Sequence, residues 1–128
     1  MGDAVRRVLL AEDDRFLRKA AETALKRHGF TVVAAVDGEE ALRLARAAPP
    51  DLVLLDLIMP RMQGFEVLRA LKADPATAPI PVVILSNLGQ DGDMKQAMDA
   101  GAAGYFVKAN LSLQDLVKRV GELVAERA

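Results

Sequence analysis

The chain has no cysteine, so disulfides and thiolate metal sites are excluded, which agrees with a reducing compartment. It has almost no net charge, with 17 basic residues against 18 acidic ones. Such a balance gives no electrostatic reason to expect nucleic acid or an anionic membrane surface as a direct partner. Long apolar runs are missing too. The opening segment MGDAVRRVLLAEDD holds a four-residue apolar run before its acids. That is too short for a signal peptide, and no run approaches the ~18 residues of a membrane span. Arg6 breaks the N-myristoylation pattern. Neither G-x-G-x-x-G after the first apolar run nor G-x-x-x-x-G-K-[ST] occurs. Nucleotide-binding enzymes of those two kinds therefore lose their phosphate cradles.

What is present is enough for one domain. The 128 residues are 52% hydrophobic and 27% charged, so a core and a soluble surface can coexist. Five short runs read as strands: RVLLA (7–11), TVVAAV (31–36), LVLL (52–55), PVVIL (81–85) and YFV (105–107). Most are continuously apolar rather than alternating, the pattern of parallel strands covered on both faces by helices. Helical spacing fills the gaps. One helix spans about Arg15 to His28 before Gly29, and GEEALRLARAA follows Asp37. FEVLRALKA follows Gly64, DMKQAMDA ends at Gly101, and a last helix starts at SLQD. Ser112 and Asp115 have capping-box spacing there. Five βα repeats with short loops predict one α/β domain over residues 1–128, a doubly wound sheet with right-handed crossovers.

In such sheets, ligands bind beyond the carboxyl ends of the strands. The first strand is followed by Glu12, Asp13 and Asp14, the third by Asp56, the fourth by Ser86 and Asn87, and the fifth by Lys108. If strands one, three, four and five are neighbours, these groups converge. Clustered carboxylates repel and their pKa values rise unless a cation sits among them. Lys108 offers one positive charge, and an oxygen-only donor set suits Mg²⁺ for the rest. Asp14 and Asp37 precede helices and read as N-caps. Asp56 does not, because Pro60 and Gly64 come before the next helical pattern.

These residues resemble the receiver domain of bacterial two-component response regulators over about residues 6 to 126. The pieces that carry the likeness are VLLAEDD, DLVLLDLIMPRMQGFEVL, PVVILSN and AGAAGYFVK. The layout is similar to the single-domain chemotaxis regulator. The resemblance implies a flavodoxin-like, five-stranded parallel sheet in the order 2-1-3-4-5 with five flanking helices. It implies Asp56 as phosphoacceptor, and Mg²⁺ held by Asp13, Asp56, the backbone carbonyl of Ile58 and, through water, Glu12. Ser86, the backbone N–H of Asn87 and Lys108 would bind the phosphoryl group. Tyr105 matches an aromatic position that changes rotamer on activation; its plainer reading is a half-buried strand tyrosine. Asp37, Glu39 and Glu40 then follow an edge strand and read as helix caps rather than site residues.

The implied reaction is transfer from a phosphohistidine of a sensor kinase or histidine phosphotransfer protein to Asp56. The switch would act on the face of helix four, strand five and helix five, read by a separate output protein. The chain would be cytoplasmic, a monomer or a phosphorylation-linked dimer, and no enzyme beyond its own phosphorylation and dephosphorylation. Two departures from the family pattern matter. Ala109 stands where proline usually follows the lysine, predicting a trans Lys108–Ala109 bond and a changed loop. Ile58 and Leu88 are apolar where relatives often carry polar groups, which implies slow autodephosphorylation or simple packing. Two other readings compete. A haloacid-dehalogenase-like phosphatase would need a second acid at position 58, where Ile58 stands. A non-phosphorylated interaction module on the same fold would usually have lost an acid, the hydroxyl or the lysine, and all are retained.

Overall fold

A computed structural model describes residues 6–87 and 91–127. The elements alternate: β1 (Arg7–Ala11), α1 (Arg15–Arg27), β2 (Thr31–Ala35), α2 (Gly38–Ala47), β3 (Leu52–Asp56) and α3 (Gly64–Ala73). Then come β4 (Val82–Ser86), α4 (Asp91–Asp99), β5 (Gly104–Val107), a 3-10 turn (Lys108–Asn110) and α5 (Leu113–Arg127). All neighbouring strands pair in parallel, in the order β2-β1-β3-β4-β5. This is the fold and strand order expected.

The continuous apolar runs are explained by a core on each side of the sheet. On one side Leu9, Val53, Leu55 and Ile84 meet Val67, Leu68 and Leu71 of α3 and Ala97 of α4. On the other, Val8, Leu10, Leu54 and Leu85 meet Ala21 and Leu25 of α1 with Leu116 and Val120 of α5. Alternate residues of a strand point to opposite faces, so a strand covered on both sides must be apolar throughout. β3 and β4 are buried at every position. β2 is equally apolar in sequence but lies at the edge, and Thr31, Val33 and Ala34 are exposed.

Local signals set the ends of the elements. Asp14 Oδ1 accepts from the N–H groups of Phe16 and Leu17, and Asp37 Oδ1 accepts from that of Glu40. Both act as the N-caps expected. Gly29, at φ 89°, closes α1, and the Phe30 N–H returns to the Leu25 carbonyl at 3.2 Å.

Several predicted boundaries shift. β2 stops before Val36, whose N–H is taken by Glu40 Oε1 at 2.9 Å, so the backbone turns toward the helix. β3 and β4 each run one residue past their apolar stretch, because Asp56 still pairs with Leu85 and Ser86 with Val107. α4 begins at Asp91, two residues before the segment read as helical. After β5 the Lys108–Ala109 bond is trans, and the chain makes a 3-10 turn.

Candidate functional site

Register brings the polar strand ends together. Ala11 stands beside Leu55, so Glu12 is carried to the level of Asp56. Asp56 pairs with Leu85, next to Ser86, and Ser86 pairs with Val107, next to Lys108. Residues 96 positions apart thus meet: Lys108 Nζ donates to Glu12 Oε2 at 2.9 Å. It also donates to Asp56 Oδ2 at 2.9 Å.

Burial makes this charge cluster strong. Glu12 is fully buried and Asp56 is 3% exposed. Desolvation of its carboxyl is the largest cause that pushes Glu12 up to about 7. The nearby Asp56 charge pushes the same way, while bonds from Lys108 and the Asp14 N–H pull back. The rise expected from repulsion is therefore present, but burial leads it. Burial also works against the Lys108 ammonium, yet its bonds to Glu12 and Asp56 together hold it above its ordinary value. The second Glu12 oxygen, Oε1, lies 2.9 Å from the ammonium without hydrogen-bond geometry.

Asp13 completes the group from the exposed side. One carboxylate oxygen each of Glu12, Asp13 and Asp56 lie within 4.8 Å of one another. Three carboxylates face one lysine, and a buried oxygen has lone pairs to spare. That donor set fits a hard divalent cation that takes oxygen ligands and keeps its waters.

The loop after β3 is shaped around Asp56. Oδ1 of Asp56 accepts from the Ile58 N–H at 3.1 Å, and Ile58 itself is half exposed beside it. Gly64 folds back so that its N–H reaches the Leu57 carbonyl at 2.9 Å. A Cβ there would fall on the Asp56 carbonyl oxygen. Arg61, at φ 72°, turns the loop in a left-handed conformation, and its Nε lies 3.4 Å from Asp37 Oδ2. Asp37 is thus a cap that also ties this loop to α2, which its sequence position does not reveal.

Ser86 is buried at the end of β4, and Tyr105, half buried on β5, is its hydrogen-bond partner. Asn87 is exposed immediately after β4. Leu88 lies outside the described residues. So Glu12, Asp13, Asp56 and Lys108 are brought into direct proximity. Ser86 and Tyr105 form a second group one strand away.

One residue escaped the sequence reading. Arg18 Nη1 donates to the Glu12 carbonyl at 2.8 Å and the Asp13 carbonyl at 3.4 Å. The available signal was a basic residue four positions after an N-cap, since helical side chains lean toward the N-terminus.

Comparison with known proteins places the chain in a family. Residues 8–121 match the family described as the response regulator receiver domain. The gliding motility regulatory protein of Myxococcus xanthus is 40% identical over 91% of this chain, which covers 15% of that protein. The response regulator PleD of Caulobacter vibrioides is 39% identical over 80% of this chain, covering 22% of its own length. The chain thus spans a minor part of these two relatives. Among solved structures, the Francisella response regulator 1452 receiver domain superposes with a TM-score of 0.90 at 28% identity. That match covers 96% of this chain and 99% of the other. A chemotaxis protein of Vibrio cholerae gives 0.86 at 28% identity, covering 94% and 99%. With the acids and the lysine gathered at the sheet's carboxyl edge, and with these matches, the chain belongs to the response regulator receiver domain family of two-component signalling.

Proposed function

We propose that Asp56 accepts a phosphoryl group from a phosphohistidine of a sensor histidine kinase or histidine phosphotransfer protein. Receiver domains as a family bind Mg²⁺ and interact with those two kinds of protein. The observation that carries the reading is the single ammonium of Lys108, 2.9 Å from Asp56 Oδ2 at the edge of a three-carboxylate cluster.

In the proposed reaction a carboxylate oxygen of Asp56 attacks phosphorus in line. The bond from phosphorus to the histidine nitrogen breaks, the nitrogen keeps the electron pair, and an acyl phosphate remains. Such transfer has a loose transition state, so the protein contributes positioning and charge neutralisation more than covalent chemistry. Mg²⁺, when bound, neutralises charge on the phosphoryl oxygens. Asp13, Asp56 and the Ile58 carbonyl would hold it directly, with Glu12 acting through water. Lys108, tethered between Glu12 and Asp56, would pair with a phosphoryl oxygen. The Ser86 hydroxyl and the Asn87 N–H would take the others.

The acyl phosphate carries about −1.5 to −2 charge where the carboxylate carried −1, and it adds phosphoryl oxygens beside Ser86. Ser86 would exchange its Tyr105 partner for the phosphoryl group, and the change would pass to α4, β5 and α5. That face would be read by an output protein, in the cytoplasm. Retention of the acids, the hydroxyl and the lysine argues against a purely structural interaction module.

Incubation with Mg²⁺ and a small phosphodonor such as acetyl phosphate tests this reading. The wild-type chain gains an acid-stable, base-labile phosphate by mass spectrometry, and Asp56→Asn gains none. An unchanged level in the variant would sink the assignment.

A further inference from the structure

Arg18 is the fourth residue of α1 but serves the loop before that helix. Its guanidinium bridges the carbonyls of Glu12 and Asp13, at 2.8 and 3.4 Å. Three other backbone groups of that loop have partners elsewhere. The Glu12 N–H donates to the Ala35 carbonyl at 3.1 Å, and the Asp14 N–H to Glu12 Oε2 at 2.9 Å. The Asp14 carbonyl accepts from the Arg18 N–H at 2.9 Å. Arg18 therefore supplies the partner of two carbonyls in a segment of three successive acids.

A cation near a helix N-terminus is disfavoured by the helix dipole. Here that cost is offset by bonds to two carbonyls whose residues supply two of the three clustered carboxylates. The guanidinium takes the carbonyls and leaves the carboxylates alone. Among the described residues Arg18 forms no ion pair, and the Asp13 carboxylate accepts no hydrogen bond.

We propose that Arg18 is a positioning residue for the divalent-cation site, clamping the Glu12 and Asp13 carbonyls so that both carboxylates are preset for the metal. This deepens the proposed function and rests on its cation site. Two effects of removing Arg18 oppose each other. Loss of a positive charge would tighten cation binding about two- to five-fold at a half-exposed position. Loss of the clamp would weaken it by about tenfold, the lower end for groups that orient metal ligands. The sign of the change therefore separates positioning from bulk charge.

The test titrates MgCl₂ into wild type, Arg18→Gln and Arg18→Lys, followed by backbone amide shifts in NMR, with melting of the metal-free proteins alongside. Arg18→Gln should bind about tenfold more weakly while melting near the wild-type temperature. Arg18→Lys, which keeps the charge and one donor, should recover part of the affinity. Unchanged or tighter binding in Arg18→Gln overturns the role of Arg18 and leaves the cation site standing. Should Arg18→Gln not fold, Arg18→Lys decides: weaker binding supports the clamp, and wild-type affinity overturns it. A wild-type chain that takes up no Mg²⁺ removes the site and the clamp together.

Discussion

The ammonium of Lys108 lies 2.9 Å from Oδ2 of Asp56, 52 positions earlier in the chain. The pair is almost dry, with side chains 13% and 4% exposed. Lys108 is shared with the fully buried Glu12, so one cation serves two carboxylates that would otherwise face each other uncompensated.

Removing that cation should be costly when no metal is present. Breaking a buried ion pair by deleting one partner strands a charge in low dielectric. Lys108→Met should destabilise the metal-free protein by about 3–5 kcal/mol at about pH 8. Added Mg²⁺ should restore more stability to the variant than to wild type, because it supplies the missing charge. Denaturant unfolding with and without Mg²⁺ reads both effects. Equal stabilisation of the two proteins would contradict this account.

Glu12 should imprint a pH dependence on the metal-free fold. Its carboxyl is raised from 4.5 to about 7, chiefly by burial. Between those values the folded state binds the proton more tightly than the unfolded chain does. Its contribution is thus fully present below about 4.5 and is lost as pH rises through about 7. Glu12→Gln cannot titrate, so the wild-type minus variant difference in unfolding free energy should fall across that window. The drop should be on the order of 3 kcal/mol. A flat difference would show that Glu12 is not desolvated as described.

Tyr105 allows a direct spectroscopic check on the second group. It is the only tyrosine and there is no tryptophan, so the tyrosinate absorbance change belongs to it alone. Burial, with a smaller push from Asp93, raises it above 10.0, and the Ser86 bond pulls it back. Its contribution to stability is present below pH 10 and declines as pH rises through the folded value. The absorbance midpoint should therefore lie above 10 in wild type, move down in Asp93→Asn and move up in Ser86→Ala. A midpoint at the free-tyrosine value in all three would rule out the contact.

Gly64 should tolerate no side chain. A Cβ would fall on the Asp56 carbonyl oxygen and crowd Leu57 Cα, both backbone atoms that cannot rotate away. Gly64→Ala should cost about 2–4 kcal/mol by denaturant unfolding. Gly29→Ala meets nothing within 4 Å and suffers only from its φ of 89°. It should cost about 1–2 kcal/mol. A smaller loss at Gly64 than at Gly29 would mean that the loop relaxes freely.

The sequence alone makes the βα alternation legible, because burial on both faces demands apolar runs and helical spacing is visible in the residues between them. It also exposed the site acids, since Asp56 and Glu12 end such runs where no helix needs a cap. Boundaries slipped at Asp56 and Ser86 because backbone pairing continues past the last apolar side chain. TVVAAV reads like a buried strand, and only the sheet order makes β2 an edge. Strand order itself came from the likeness to a family, because parallel neighbours are joined by crossovers and leave no local signal. The tertiary structure alone decided that Lys108 bridges Glu12 and Asp56, that burial outweighs repulsion in raising Glu12, and that Arg18 holds two backbone carbonyls. Each of these depends on distances between chain segments, and on the water excluded between them, which no local pattern of residues encodes.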